Sequence, residues 1–351
     1  MDAPQRAMLR SDVMSDSRLG RRRFLGAAAG ATVATAAFSS AAFAAAGPAT
    51  APDPAAHLGP STASDRSRRR SAARAVATFR WLGTSGWRID IGSSTLLVDP
   101  YLSRFDTGLF RSAFNPATRL TVDTARIGDR PGNPQTILVT HTHWDHYNDV
   151  PHIARQSGAR VFGTLTAYHL GLAYGLPTSQ LSPVKGGEVL DFGDYVVEVV
   201  GALHSRNGSY SMAFPGVHVA VPGRPETIAD LPEGDTLAFQ VTPRGGPSVF
   251  IMGASDFVER NLTGLAPDVA MIAMPSSGAT HDYVPRLLTA LDRPATVVPV
   301  HWDDFETPLT NPPPVTPNDQ DRLAAFLAAV RAVAPRTRIL LPQYLTPYTF
   351  Q

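Results

Sequence analysis

Three histidines and an aspartate fall within six residues of this 351-residue chain, in Thr140-His141-Thr142-His143-Trp144-Asp145-His146. Imidazole and carboxylate are the ligands of zinc and similar divalent cations. Crowded at this density without a cation, they would repel one another or go unsatisfied. A short apolar run, Ile137-Leu138-Val139, precedes them and reads as a buried strand. The cluster therefore sits where a strand ends and the chain turns, which is where α/β folds put their chemistry. Alternate side chains of an extended segment point the same way, so His141 and His143 can share one cation. A turn after them swings Asp145 and His146 to a second position nearby.

The rest of the chain has to supply the remaining ligands. There is no Cys, so a metal site must be built from His and carboxylates. Three later strand ends carry candidates. His204 follows the apolar run 195–200, Asp256 follows 248–252, and His301 follows 296–300. His281 comes after the next strand beyond Asp256. It either faces the metals as an acid or substrate contact, or stands at the surface near a helix start.

His-x-His-x-Asp-His, then His, Asp and His after successive apolar strands, resembles the signature of the metallo-β-lactamase fold superfamily. The resemblance spans residues 78 to 342. It implies an α/β fold, a four-layer αββα sandwich, and two divalent metal ions, Zn²⁺ with Mn²⁺ or Fe²⁺ as alternatives. It implies that His141, His143 and His204 hold one metal, that Asp145, His146 and His301 hold the other, and that Asp256 bridges them. Asp99, in Val98-Asp99-Pro100, would stand behind the ligands; the alternative is a plain turn-initiating Asp-Pro. The expected catalytic residues are Asp145, Asp256 and His281. The flavodiiron branch has Glu in place of the second histidine, so His143 argues for hydrolysis. The class-B lactamase branch lacks the aspartate expected at Asp256. Trp81-Leu82-Gly83 and His301-Trp302 are similar to the branch of ascorbate-6-phosphate lactonase and N-acyl-phosphatidylethanolamine phospholipase D.

Two divalent ions roughly 3.5–4 Å apart share a water, bring its pKa to about 7 and polarise the bond under attack. That chemistry serves a carboxylic ester or lactone, and equally a phosphodiester, including one in a phospholipid. A third reading is a non-enzymatic exported metal-binding protein. The expected partner is thus a small-molecule or lipid-like substrate. The chain's formal net charge is only +1, and residues 76–351 carry 20 Lys+Arg against 25 Asp+Glu. An acidic folded domain argues against nucleic acid.

The positive excess lies in the first 75 residues. Arg21-Arg22-Arg23-Phe24-Leu25-Gly26 resembles a twin-arginine export motif, and an Ala-rich run ends in small-x-small sites near 44–46. Residues 1–46 are therefore expected to be a twin-arginine signal peptide read by that export machinery. The expected location is periplasmic or extracellular, or membrane-associated if the signal stays attached. Residues 47–75, rich in Pro, Ala, Ser and Arg, read as a disordered linker. Residues 76–351 are expected to form the catalytic domain, and an apolar content of 43% for the chain allows it a sizeable core.

The elements that must position the site follow from pattern. Strands are expected at 78–82, 87–91 and 95–98, then 160–163, 189–190, 195–200, 236–241, 248–252, 268–274, 296–300 and 338–341. Helices are expected at 150–156, 166–174, 283–291 and 319–334, the last capped by Asn318. The long stretch 101–135, with Phe105, Phe110 and Phe114, is either an apolar wall over the site or a surface insertion with its own small core.

Overall fold

The computed structural model describes residues 76–351; the expected signal and linker lie outside the described residues. The first half of that region runs β1 (Ala77–Gly83), β2 (Gly86–Ile91), β3 (Ser94–Val98), α1 (Thr124–Ile127), β4 (Thr136–Leu138), α2 (Trp144–Tyr147), α3 (Val150–Ser157), β5 (Arg160–Gly163), α4 (Leu165–Ala173) and β6 (Leu181–Pro183). The second half runs β7 (Val189–Asp191), β8 (Tyr195–Leu203), β9 (Thr236–Pro243), β10 (Val249–Met252), β11 (Asp256–Phe257), α5 (Glu259–Leu262), β12 (Val269–Ala273), α6 (Tyr283–Ala290), β13 (Thr296–Val300), α7 (Pro317–Val333), β14 (Arg338–Ile339) and β15 (Pro347–Tyr348).

Two mixed sheets result. One has the order β15-β1-β2-β3-β4-β5-β6, the other β11-β8-β9-β10-β12-β13-β14, with β7 paired to β8. In each sheet an antiparallel meander leads into parallel strands joined through helices. Strand alternation assigns side chains to layers. Leu96, Val98 and Leu138 join a core shared with the second sheet, while their neighbours Leu97, Ile137 and Val139 join another core with Ile153 and Ala154 of α3 and Leu170 of α4. On the other side, Leu287 and Leu288 of α6 and Phe326 and Val330 of α7 pack on the second sheet. The layers are helix, sheet, sheet, helix, as expected. Side chains such as Trp81, Phe239 and Phe250 have no exposed surface, and each contributes roughly 1.5–3 kcal/mol by burial.

Two details differ from the sequence reading. Thr316, not Asn318, caps α7: its Oγ1 accepts from Asp319 N at 3.2 Å, and Pro317 takes the first helical position. Proline has no N–H to lose there and its φ is already helical, so the helix starts two residues early. The short strands β6, β11 and β15 were not expected, because two or three residues carry no periodic signal. Among the described residues no helix is long and apolar enough to cross a membrane.

Candidate metal centre

Every functional side chain here stands just past the carboxyl end of a strand. β3 leads to Asp99, β4 to His141, β8 to His204 and β13 to His301. Residues 139–143 lie between β4 and the next helix, with bends at Thr140 and His143. His141 and His143 point to one side, while Thr142 turns away, its hydroxyl donating to the Pro232 carbonyl and its N–H to that of Glu233. One helical turn follows, α2, in which His146 N donates to His143 O at 3.0 Å. That turn carries Asp145 and His146 sideways. The result is two groups, His141/His143/His204 and Asp145/His146/His301, in each of which the donor atoms lie within 4.8 Å of one another. Each group takes residues from both sheets, since β4 belongs to one and β8 and β13 to the other.

Hydrogen bonds on the far side of four of the five rings, those of His141, His143, His146 and His204, select the nitrogen that faces the site. His143 Nε2 donates to the Ala213 carbonyl at 2.9 Å, leaving Nδ1. His204 Nδ1 donates to Ser205 O at 2.8 Å, leaving Nε2. His146 Nδ1 donates to Asp99 Oδ2 at 2.8 Å, and its Nε2 lies 3.4 Å from Asp145 Oδ2. His301 Nε2 lies 3.2 Å from the same oxygen. Thr140 Oγ1 donates to Asp99 Oδ2 at 2.5 Å and accepts from His141 Nδ1 at 3.1 Å. One buried carboxylate thus orients a histidine in each group, directly for His146 and through a hydroxyl for His141. Outer partners of this kind fix tautomer and ring angle in metal sites. Asp99 sits at φ 40°, Gly253 packs against it, and a Cβ on Gly253 would stand 2.2 Å from Thr140 Oγ1.

The electrostatics divide the groups. Burial, reinforced by neighbouring imidazoles, holds His141 well below its usual pKa, His143 at about 3 and His204 at about 4. These three are neutral at pH 7, with lone pairs converging. Burial also disfavours a charged His146, but Asp145 and Asp99 outweigh it and raise its pKa to about 10. Burial pushes Asp145 up, and His146 with His301 overrides that and holds it well below the usual carboxylate range. Converging neutral imidazoles beside an anionic carboxylate are the donor set a divalent cation requires. The residues fit the metals the sequence implies.

The groups form the floor of a cavity of about 760 Å³. One wall is apolar: Leu109, Phe110 and Phe114 from the β3–β4 connection, with Trp144 and Phe305. Phe110 packs edge-on against Phe305, and Phe114 tilts against Trp144 and Phe214 at about 6 Å. So the 101–135 stretch supplies a wall over the site, and Asp149 anchors it by accepting from Leu102 N, Ser103 N and Ser103 Oγ at 2.6–2.8 Å. The opposite wall is the first turn of α7, Thr316 to Asp319 and Arg322, with Ser276. Sequence reasoning missed that wall, Thr140 and Phe214. Thr140 adjoins the motif and could have been found; Phe214 lies in a long irregular loop with no signal.

Two expected residues are placed elsewhere. Asp256 belongs to neither group and does not line the cavity. β10 ends at Met252, so Gly253 is the residue that meets the site. The chain then turns, and Asp256 starts β11 paired with Leu203, its Oδ1 accepting from Phe257 N at 2.9 Å. The bridging position assigned to Asp256 is not where this residue stands, and the contrast drawn through it with the class-B lactamase branch lapses. His281 is also off the site. Tyr283 is buried and donates to Ala273 O at 2.8 Å, which turns the two preceding residues outward. The His281 side chain is 84% exposed and sits 3.3 Å from Asp282.

The beta-lactamase superfamily domain matches residues 78–230. A UPF0173 metal-dependent hydrolase of Methylobacterium nodulans is 31% identical over 232 residues, 64% of this chain and 84% of that protein. One of Pyrobaculum arsenaticum is 28% identical over 231 residues, 65% of this chain and 84% of that protein. Among solved structures, a possible metal-dependent hydrolase of Veillonella parvula superposes with a TM-score of 0.52 at 17% identity, covering 79% of this chain and 100% of that one.

Proposed function

This chain belongs to the UPF0173 metal-dependent hydrolases of the metallo-β-lactamase fold superfamily, and we propose further that it is an exported hydrolase of carboxylic esters or lactones that works with two divalent cations. The observation that carries the reading is the pair of three-donor groups side by side on the floor of one cavity. His141, His143 and His204 would hold one cation, and Asp145, His146 and His301 the other. Zn²⁺ suits these donors, with Mn²⁺ or Fe²⁺ as alternatives. When bound, the pair supplies a water made acidic enough to give hydroxide near pH 7 and a Lewis acid for the bond under attack.

The chain's own residues do the rest. Asp99 keeps a lone pair of His146, and through Thr140 one of His141, turned to the cavity. The aromatic wall excludes water and receives an apolar substrate moiety. We take a neutral ester over a phosphodiester because the lining offers few cationic side chains for a phosphate. Arg322 is the one Arg or Lys among the described lining residues, and it is already committed to Asp319 and to the Ser276 carbonyl. The single negative charge of a phosphodiester would be met by the bound cations alone, with little help from side-chain cations among the described lining residues.

Zinc-loaded protein should be assayed on p-nitrophenyl esters and lactones beside bis-p-nitrophenyl phosphate, with zinc stoichiometry measured on the same sample. The expected result is two equivalents and faster ester or lactone turnover. Faster phosphodiester turnover would reverse the substrate assignment. Two equivalents with no turnover would support a metal-binding protein without this activity.

A further inference from the structure

We infer that Arg104 is the positioning residue for His301, setting cation affinity in the Asp145/His146/His301 group while leaving the other group alone. The inference rests on the two-cation reading above. His301 is held with φ at +61°, a left-handed conformation that a non-glycine residue keeps only when its surroundings impose it. Its own N–H donates to the Thr84 carbonyl at 2.8 Å. What fixes the segment after it is one guanidinium.

Arg104 comes from the β3–β4 connection, far from His301 in sequence, and its side chain is fully buried. Nη2 donates to Asp303 Oδ2 at 2.6 Å and to the Asp304 carbonyl at 3.0 Å, and Nε donates to the Thr307 carbonyl at 2.7 Å. Three points between 303 and 307 are thus tied to one planar group. Asp303 passes the constraint back toward the site. Its carboxylate accepts from Thr84 N at 3.0 Å, on the residue whose carbonyl holds His301, and from Tyr344 Oη at 2.7 Å. The site leaves room for nothing else: a Cβ on Gly83 would stand 1.9 Å from Arg104 Nη1. Trp81 stacks on both Trp302 and Tyr344, which closes the arrangement. Gly83 thus packs on the Arg104 guanidinium, and Trp81 and Trp302 reach it through the Tyr344 ring on which Arg104 sits.

Contacts in the other direction tie the apolar wall to the same unit. Glu306 Oε1 accepts from Thr107 N at 2.8 Å and Leu109 N at 3.3 Å. Loss of Arg104 should free His301 first, because His141, His143 and His204 hang from β4 and β8 and share no hydrogen bond with this network. Lysine cannot substitute, since a single ammonium cannot reach three points in one plane.

The test is a chelator-competition titration with zinc on full-length wild type, Arg104→Lys and Tyr344→Phe. His204→Ala and His301→Ala assign the two binding steps. Arg104→Lys should weaken the step lost in His301→Ala by about 10–100-fold, the usual effect of an outer partner, with the other step within twofold. Tyr344→Phe, which keeps the charge pair but removes one donor to Asp303 and one acceptor for Arg104 Nη2, should shift the same step less. If Arg104→Lys does not fold, Tyr344→Phe is judged by the same criterion. Unchanged affinities, or equal weakening of both steps, would overturn the inference. Wild-type protein that binds fewer than two zinc ions would sink the two-cation reading itself and this inference with it.

Discussion

Replacing Asp99 by Asn changes one oxygen into a nitrogen and should loosen both cations at once. The backbone tolerates it, because Asp99 sits at φ 40° and asparagine accepts that region better than most residues. The amide oxygen can keep the bond from Thr140 N, now 2.7 Å from Oδ1. The amide nitrogen then stands where Oδ2 received two donors, His146 Nδ1 at 2.8 Å and Thr140 Oγ1 at 2.5 Å. Donor would face donor. His146 relieves this by moving its proton to Nε2, the nitrogen that faces Asp145, and so loses its lone pair toward the cation. Thr140 relieves it by rotating its hydroxyl away, and His141 loses its orienting partner.

A lost outer partner costs about 10–100-fold in metal affinity, or about 1.4–2.7 kcal/mol per cation. A buried donor left unpaired adds about 1–3 kcal/mol of instability. Thr140→Val separates the two paths. It removes only the hydroxyl, so the His141 group should weaken about 10-fold while the His146 group keeps its affinity. Zinc titration against a competing chelator reads both steps, and thermal melts with and without zinc read the stability. An Asp99→Asn protein that binds two zinc ions with wild-type affinity would refute the shared-carboxylate argument.

Five further outcomes are expected. In metal-free protein His146 has a pKa raised to about 10, while His143 and His204 are lowered to about 3 and 4. Zinc binding to the His146 group must therefore release a proton and tighten about tenfold per pH unit between pH 7 and 9, while binding to the His141 group stays flat above pH 5; calorimetry in two buffers of different ionisation heat distinguishes them. The same raised pKa stabilises the metal-free fold fully below the unfolded value near 6.5 and loses that contribution as pH rises through 10, which urea midpoints measured from pH 6 to 11 would show. Asp256→Asn should keep both zinc ions and most of the activity, since the residue stands off both groups; loss of a zinc ion would return it to the site. Phe114→Ala should raise KM for hydrophobic esters about tenfold with kcat little changed, as removal of part of an apolar wall implies. Lys in place of both Arg21 and Arg22 should leave full-length protein in the cytoplasm on fractionation, and unchanged export would count against a twin-arginine route.

The sandwich was legible because its strands are buried on both faces or alternate cleanly, and because the six residues from His141 to His146 lie in one continuous segment. Local geometry does the work there: a short non-helical segment followed by one helical turn gives the two directions that spacing implies. His204 and His301 were legible because each comes straight after a long apolar strand. Asp256 was misplaced for the same reason that made it attractive. A strand end one turn of chain away looks the same in sequence as the strand end itself, and only pairing of Asp256 with Leu203 shows the difference. His281 failed because a surface pair with Asp282 leaves no pattern. The buried set of Arg104, Asp303 and Tyr344 spans some 240 positions, and no period or motif links residues so far apart.

Because each donor group takes residues from both sheets, cations bound there would act as rivets across the seam between them. A bound cation at about 100 times its dissociation constant would hold the seam shut by about 2.7 kcal/mol. Affinity for zinc then becomes a gauge of how well two halves of the molecule are seated. A substitution such as Phe239→Leu or Phe250→Leu lies in the shared core and touches no ligand. If it lets the halves part by a fraction of an ångström, it should register as weaker binding in both groups before any loss of secondary structure is seen.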